Sequence, residues 1–263
     1  MKMIFTVLLL FAMVLSGCNE KEPGGNANNN SSSNTNSNVA VILNPLEQIK
    51  PEKPPDPDFT SCNPYYPLVP GSEVGYTLTI SSGLVNDVKV VVDAAEEGGR
   101  KVFVERTRIV DKSGGLQKAE LTVRKYVCDN GRIQIIEEKS ENRIEGKLNQ
   151  VENAFRNSAV FMIDPQSLGR KGTTWSYSFK QSFKHEDLPP VSPETPVTIS
   201  FTVVGEEEVI VPAGKFKAVK VLRKVGENEI SEYFVRGIGL VKRVAAEGTA
   251  LVLTEYSGVS PSE

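Results

Sequence analysis

From Tyr65 onward the chain alternates apolar and polar residues with a period of two. Val74, Tyr76, Leu78 and Ile80 alternate with Gly75, Thr77, Thr79 and Ser81, the pattern of a strand with one buried face. Ser82-Gly83 turns the chain into the valine-rich residues 85–94, and Glu96-Glu97-Gly98-Gly99 turns it into residues 101–110. Residues 121–128 and 132–138 flank Asp129-Asn130-Gly131. Asn-Gly between apolar strands predicts a hairpin, because a type I′ turn needs positive φ at both central residues. Residues 151–157 read as one or two helical turns with Phe155 toward the core, and 158–163 as a strand. Trp175, Tyr177 and Phe179 then alternate with Ser176, Ser178 and Lys180. Residues 184–196, rich in proline, read as a loop.

A meander follows. Residues 197–204 predict a strand, Gly205-Glu206-Glu207-Glu208 an acidic turn, and Val209-Ile210-Val211 a short strand. Residues 216–225, 230–235, 240–245 and 250–256 predict further strands, with a bulge or kink at Gly237 and Gly239. All connections are short, so neighbours pair antiparallel. The fold class is mainly β: a curved antiparallel sheet, as an open half-barrel or a β-meander, with at most one or two short helices. There is an internal echo. Residues 70–78 align with 171–179, and Tyr126 with Gly131 matches Tyr233 with Gly237. It suggests halves 65–165 and 166–258, against the plainer account that β-meanders resemble one another.

The first residues break this pattern. Lys2 precedes an apolar run over residues 4–15, too short for a comfortable membrane span of about 20 residues but suited to a signal peptide. It ends in Leu15-Ser16-Gly17-Cys18, which resembles the lipobox of bacterial lipoproteins. The resemblance implies that residues 1–17 are removed by the lipoprotein-processing machinery and that Cys18 is acylated. Two or three chains anchor firmly where one does not. The expected location is extracytoplasmic and membrane-anchored. Asn19, by the sorting rule of that family, favours the outer membrane in a cell that has one. Residues 18–58 then form a tether: an Asn/Ser/Gly stretch too polar to fold, followed by the proline-rich residues 50–58. Residues 59–263 form the β-rich domain.

Composition narrows the partners. There are 30 basic and 33 acidic residues and no basic stripe, so nucleic acid is not an expected partner. In an exported chain, Cys62 and Cys128 are a candidate disulfide or two free thiols.

Three further stretches resemble motifs of exported bacterial β-proteins of unassigned activity, many of them lipoproteins. They are Tyr65-Tyr66-Pro67-Leu68 with Gly71 and Tyr76; Val211-Pro212-Ala213-Gly214-Lys215-Phe216 continuing to Val221; and Tyr233-Phe234-Val235-Arg236-Gly237-Ile238-Gly239 continuing to Arg243. The resemblance implies the curved, open half-barrel of lipoprotein carriers and receptors. It brings no catalytic residue.

Chemical vocabulary is sparse. His185 is the sole histidine, and it stands in Lys184-His185-Glu186-Asp187 with no zinc spacing around it. No nucleophile elbow or phosphate loop occurs. Glu206-Glu207-Glu208 lacks the spaced ligands of a calcium loop. No catalytic residue, cofactor or metal is expected. The one-sided aromatics Tyr76, Trp175, Tyr177, Phe179 and Phe201 are either ordinary core or a candidate apolar pocket. The expected function is a non-catalytic, lipid-anchored envelope protein holding an apolar or lipid-like ligand. The alternatives are a protein–protein interaction or structural module and, less favoured, a hydrolase.

Overall fold

The structure, a computed structural model, describes residues 48–55, 59–112, 119–144, 147–155, 159–192, 196–245 and 248–262. The signal segment, Cys18 and the Asn/Ser/Gly tether lie outside the described residues.

The first half of the fold contains strands β1 (Glu73–Thr79), β2 (Val85–Glu97), β3 (Arg100–Asp111), β4 (Ala119–Asp129), β5 (Arg132–Ile144), β6 (Lys147–Phe155) and β7 (Ala159–Met162), then helix α1 (Pro165–Leu168). The second half contains β8 (Thr174–His185), β9 (Leu188–Val191), β10 (Val197–Val211), β11 (Gly214–Val225), β12 (Asn228–Val235), β13 (Gly239–Ala245) and β14 (Ala250–Ser257). All the pairings are antiparallel. The order runs β10-β11-β12-β13-β14-β1-β2-β3-β4-β5-β6-β8, and β8 pairs back to β10. The curved antiparallel sheet expected from the sequence is present. It closes on itself, where the resemblance implied an open half-barrel.

Four local expectations change. Residues 151–155 are strand, not helix, because β6 pairs on both sides, with β5 and β8. Within the expected loop, β9 forms against β8, with Pro189 and Pro190 on a strand that, among the described residues, has β8 as its one partner. Glu206, Glu207 and Glu208 are not a turn. They continue β10 past a bulge at Val203/Gly205, opposite Val219, Ala218 and Lys217 of β11. The packed unit also starts before residue 59. Ile49 packs on Val91 and Leu121, the Glu52 N–H donates to Asp93 at 2.7 Å, and Arg106 donates to the Lys50 carbonyl at 2.9 Å. The Asn130-Gly131 turn is as expected, with φ of 49° and 75°.

The two halves follow one plan. In β1–β2, Val74 pairs with Val90, Tyr76 with Val88 and Leu78 with Asn86. In β8–β10, Trp175 pairs with Phe201, Tyr177 with Ile199 and Phe179 with Val197. The entries to these strand pairs match as well. Gly71 N–H donates to Val92 O and Val92 N–H to Ser72 O; likewise Gly172 N–H donates to Val203 O and Val203 N–H to Thr173 O. Both glycines have φ near +85°. The bulge in β4–β5 at Lys125/Tyr126 has its counterpart in β12–β13 at Tyr233/Phe234. Tyr126 therefore corresponds to Phe234, one residue away from the match read in the sequence.

One end of the barrel is occupied by chain. Cys62 is disulfide-bonded to Cys128, with Cα atoms 6.3 Å apart. Buried Asn63 donates to the carbonyls of Gly131 and Ile163, each at 2.8 Å. Helix α1 begins there with Asp164 accepting from Ser167 N–H, and it buries Leu168. The tip of the β10–β11 ribbon reaches β14 at the same end, where Ala213 N–H donates to Leu253 O at 3.2 Å.

Candidate functional site

Strand alternation sends one set of side chains inward, and cross-strand register arranges them in rows. One row reads Val92, Glu105, Arg124, Glu138, Asn153 and Gln181 across β2, β3, β4, β5, β6 and β8. Its members bond to one another. Arg124 pairs with Glu138 through Nε and with Glu105 at 3.3 Å. Asn153 Nδ2 donates to Glu138, and Gln181 Nε2 donates to Asn153 Oδ1 at 3.1 Å. Tyr66, delivered by the segment after Cys62, donates its hydroxyl to Glu105 at 2.5 Å. Tyr126 lies within 3.5 Å of the same carboxylate. Burial and then the Glu105 charge push both phenols well above their ordinary pKa. Burial opposes the charge on Arg124, but Glu138 and then the neighbouring tyrosines and Glu105 outweigh it and hold the proton on.

The corresponding row of the second half is Val203, Val221, Glu232, Arg243 and Leu251. Arg243 Nε donates to Glu232 at 2.8 Å, and Arg223 stands 3.6 Å from the same oxygen. Nearer the hairpin end, two further inward rows of the first half are also polar. Thr107, Thr122 and Ser140 form one, with the Thr122 and Ser140 hydroxyls 2.8 Å apart. Glu120, Asn142, Asn149 and His185 form the other. Burial pushes the Glu120 carboxyl up to about 7, opposed in part by the hydrogen bond from Thr122.

All five candidate pocket residues lie on the inward face. Trp175 stacks on Phe201 at 4.7 Å and 6°, Tyr177 lies 5.9 Å from Phe201 and 6.1 Å from Phe179, and Phe155 joins at 5.5 Å from Phe179. These form one aromatic wall. Burial pushes the Tyr177 hydroxyl up to about 12. Tyr76 stands apart from them, donating to the Leu240 carbonyl at 2.9 Å. Its hydroxyl too is pushed up by burial and then by Glu105.

The interior is largely filled but not sealed. Twelve strands surround it, more than the roughly eight whose inward side chains just fill a barrel. Although they point inward, Arg124, Glu138, Arg223 and Arg243 keep 19, 15, 15 and 14% of their side-chain surface open to water. Trp175 and Tyr177 are also only half-buried.

Of the residues considered for chemistry, His185 falls in the last of these polar rows. His185 ends β8 and accepts the Asp187 N–H at its Nδ1, 3.1 Å away. The three glutamates of β10 pair with Lys217, Lys220 and Lys215 on the outside. Among the described residues, no group of three or more His, Cys, Asp or Glu could hold a metal ion. Sequence reading missed the charged rows, because Glu105, Arg124, Glu138 and Glu232 look like solvent-facing residues until their register is known. The available signal was parity: Glu105 shares its alternation with Phe103 and Ile109.

No family model matches the chain, and no curated protein matches it. Among solved structures, a candidate exported protein with a YmcC-like fold from Bacteroides fragilis is similar over 71% of this chain and 95% of its own. The identity is 14% and the TM-score 0.46, a likeness that identifies neither activity nor ligand.

Proposed function

We propose that this is a non-catalytic cell-envelope protein, lipid-anchored at Cys18, whose barrel takes up an apolar or lipid-like ligand. The ligand's chain lies on the wall of Trp175, Tyr177, Phe179 and Phe201, and its polar end faces the charged rows. The observation that carries this reading is the half-burial of inward Trp175 and Tyr177 in an otherwise closed barrel. An aromatic surface left open beside hydrogen-bonding groups is the makeup of a small-ligand site. Native mass spectrometry of the protein, released gently from its membrane, should show a co-purified lipid or fatty acid. A spectrum of bare protein that also stays bare after incubation with lipid extract rejects the reading. The anchor is tested separately: Cys18→Ala should leave an unprocessed precursor or a released protein.

A second reading, docking to another envelope protein, is favoured by β9. Leu188 and Val191 there are 61% and 59% exposed. Leu188→Ser with Val191→Ser should abolish cross-linking to a partner in cells while leaving ligand content unchanged.

A further inference from the structure

We propose that the seam between β7 and the first half of β8 is the side entrance through which a single apolar chain reaches the aromatic wall, with Trp175 as its latch. The proposal rests on the ligand-binding reading above and adds the route and the gate.

The two places where the halves join differ. At β14–β1 the ladder runs the whole length of β1, from Glu73–Ser257 to Thr79–Ala250. At the other join, among the described residues, β6 pairs with β8 over residues 179–185. The next described strand after Phe155, β7, pairs with β5. Among the described residues, Thr174 and Trp175 of β8 therefore have β10 on one side and no strand ladder on the other. The side chains register this difference. Val74 and Tyr76, at the continuous join, are 9% and 8% exposed. Their counterparts Trp175 and Tyr177 are half-buried, although they are at least as large and equally inward.

Among the described residues, a polar side-chain contact bridges the seam: Trp175 Nε1–H donates to the Phe161 carbonyl at 3.3 Å. It is long for such a bond. The occupant is an apolar chain and not an added β-strand. Inserting a strand requires about 9.6 Å between the flanking backbones, two strand spacings. Cα atoms of β7 and β8 approach within 8 Å. The side chains Phe155, Trp175 and Tyr177 beside the seam are aromatic, which suits a methylene chain.

Trp175 is the sole tryptophan, so its fluorescence reports on the seam alone. The purified full chain is mixed with stearate or dibromostearate delivered from cyclodextrin. Adducts are followed by native mass spectrometry and Trp175 emission in parallel. Dibromostearate should quench Trp175 with the same midpoint as adduct formation, and stearate should not. Trp175→Phe keeps the ring stack on Phe201 and removes the latch. It should speed exchange of deuterated for unlabelled stearate roughly fivefold, the effect of losing one ordinary hydrogen bond. Trp175→Phe exchanging at the unsubstituted rate would show that the chain enters elsewhere while leaving the ligand-binding reading intact, whereas adducts without selective quenching would show that the chain does not lie on the aromatic wall and overturn both. No adduct with either fatty acid overturns both.

Discussion

The two halves of the barrel hold an ion pair at the same place with the signs exchanged. Arg124 on β4 faces Glu138 on β5; at the corresponding positions Glu232 on β12 faces Arg243 on β13. Around these pairs the halves diverge. The first adds Glu105, Tyr66, Asn153 and Gln181, and the second adds Arg223. What the two share is an inward-facing pair of opposite charges beside a bulge, not the residues that supply it. That is the expected result if an unpaired charge there is the costly event, since the desolvation penalty is indifferent to which strand carries which sign.

The largest expected effect is specific to the first half. Its entering segment is stapled by Cys62–Cys128, which closes a loop of 66 residues, and on the chain-entropy model its loss costs roughly 4 kcal/mol. Cys62→Ser with Cys128→Ser should lower the urea midpoint accordingly. Next, Arg124→Ala leaves Glu105 and Glu138 without their shared cation and should cost about 3–4 kcal/mol. Arg243→Ala should cost about half as much, because Arg223 remains beside Glu232. Equal losses in denaturant titrations would mean that Arg223 contributes nothing to that pair. Exchanging the signs with Arg124→Glu and Glu138→Arg should recover part of the loss.

Glu120 gives a pH-dependent test on one half alone, since its counterpart, Asn228, does not titrate. Burial raises its folded pKa from 4.5 to about 7, so folding favours the protonated form. Its stability contribution is full below about pH 4.5, falls as pH rises, and levels off above about 7. The span is on the order of 3 kcal/mol. Glu120→Gln should flatten that part of the stability–pH curve.

The smallest effects come from the matched glycines. Gly172→Ala meets open space and should cost only its left-handed strain, about 1–2 kcal/mol. Gly71→Ala has the same φ, but its Cβ would lie 2.4 Å from Pro54 and Pro55 backbone atoms. It should cost more and loosen the segment at residues 53–55, which limited proteolysis would detect.

Much of the fold was legible in the sequence because period two and turn chemistry are local signals. Tyr76 through Thr79, the Asn130-Gly131 hairpin and the Trp175-Tyr177-Phe179 face needed no distant partner to be read. What failed was nonlocal. Residues 151–155 carry no strong local preference, and two flanking strands make them β. Glu206-Glu207-Glu208 looked like a turn because three acids in a row suit solvent; ion-paired with Lys217, Lys220 and Lys215 of β11, the same residues suit an exposed strand. Closure of the sheet rests on residues 174–179 meeting 197–202, which no local pattern announces. The candidate site was half legible. Aromatics declare an inward face, whereas Glu105, Arg124 and Glu232 are read as inward only by counting parity from an apolar neighbour.

The segment around Ile49 and the bond at Cys62 together determine how the molecule carries load. A pull on the chain ahead of residue 48 first meets small resistances in series: the Ile49 contact, then the bonds at Lys50 and Glu52. These peel one at a time under low force. At Cys62 the yielding stops, because the next connection is covalent and leads to the end of β4 at Cys128. Force then enters a strand hydrogen-bonded on both sides, to β3 and β5, and bypasses Tyr66 and the polar row it supports. Tension along the N-terminal chain thus ends at the barrel wall, leaving the interior unstressed.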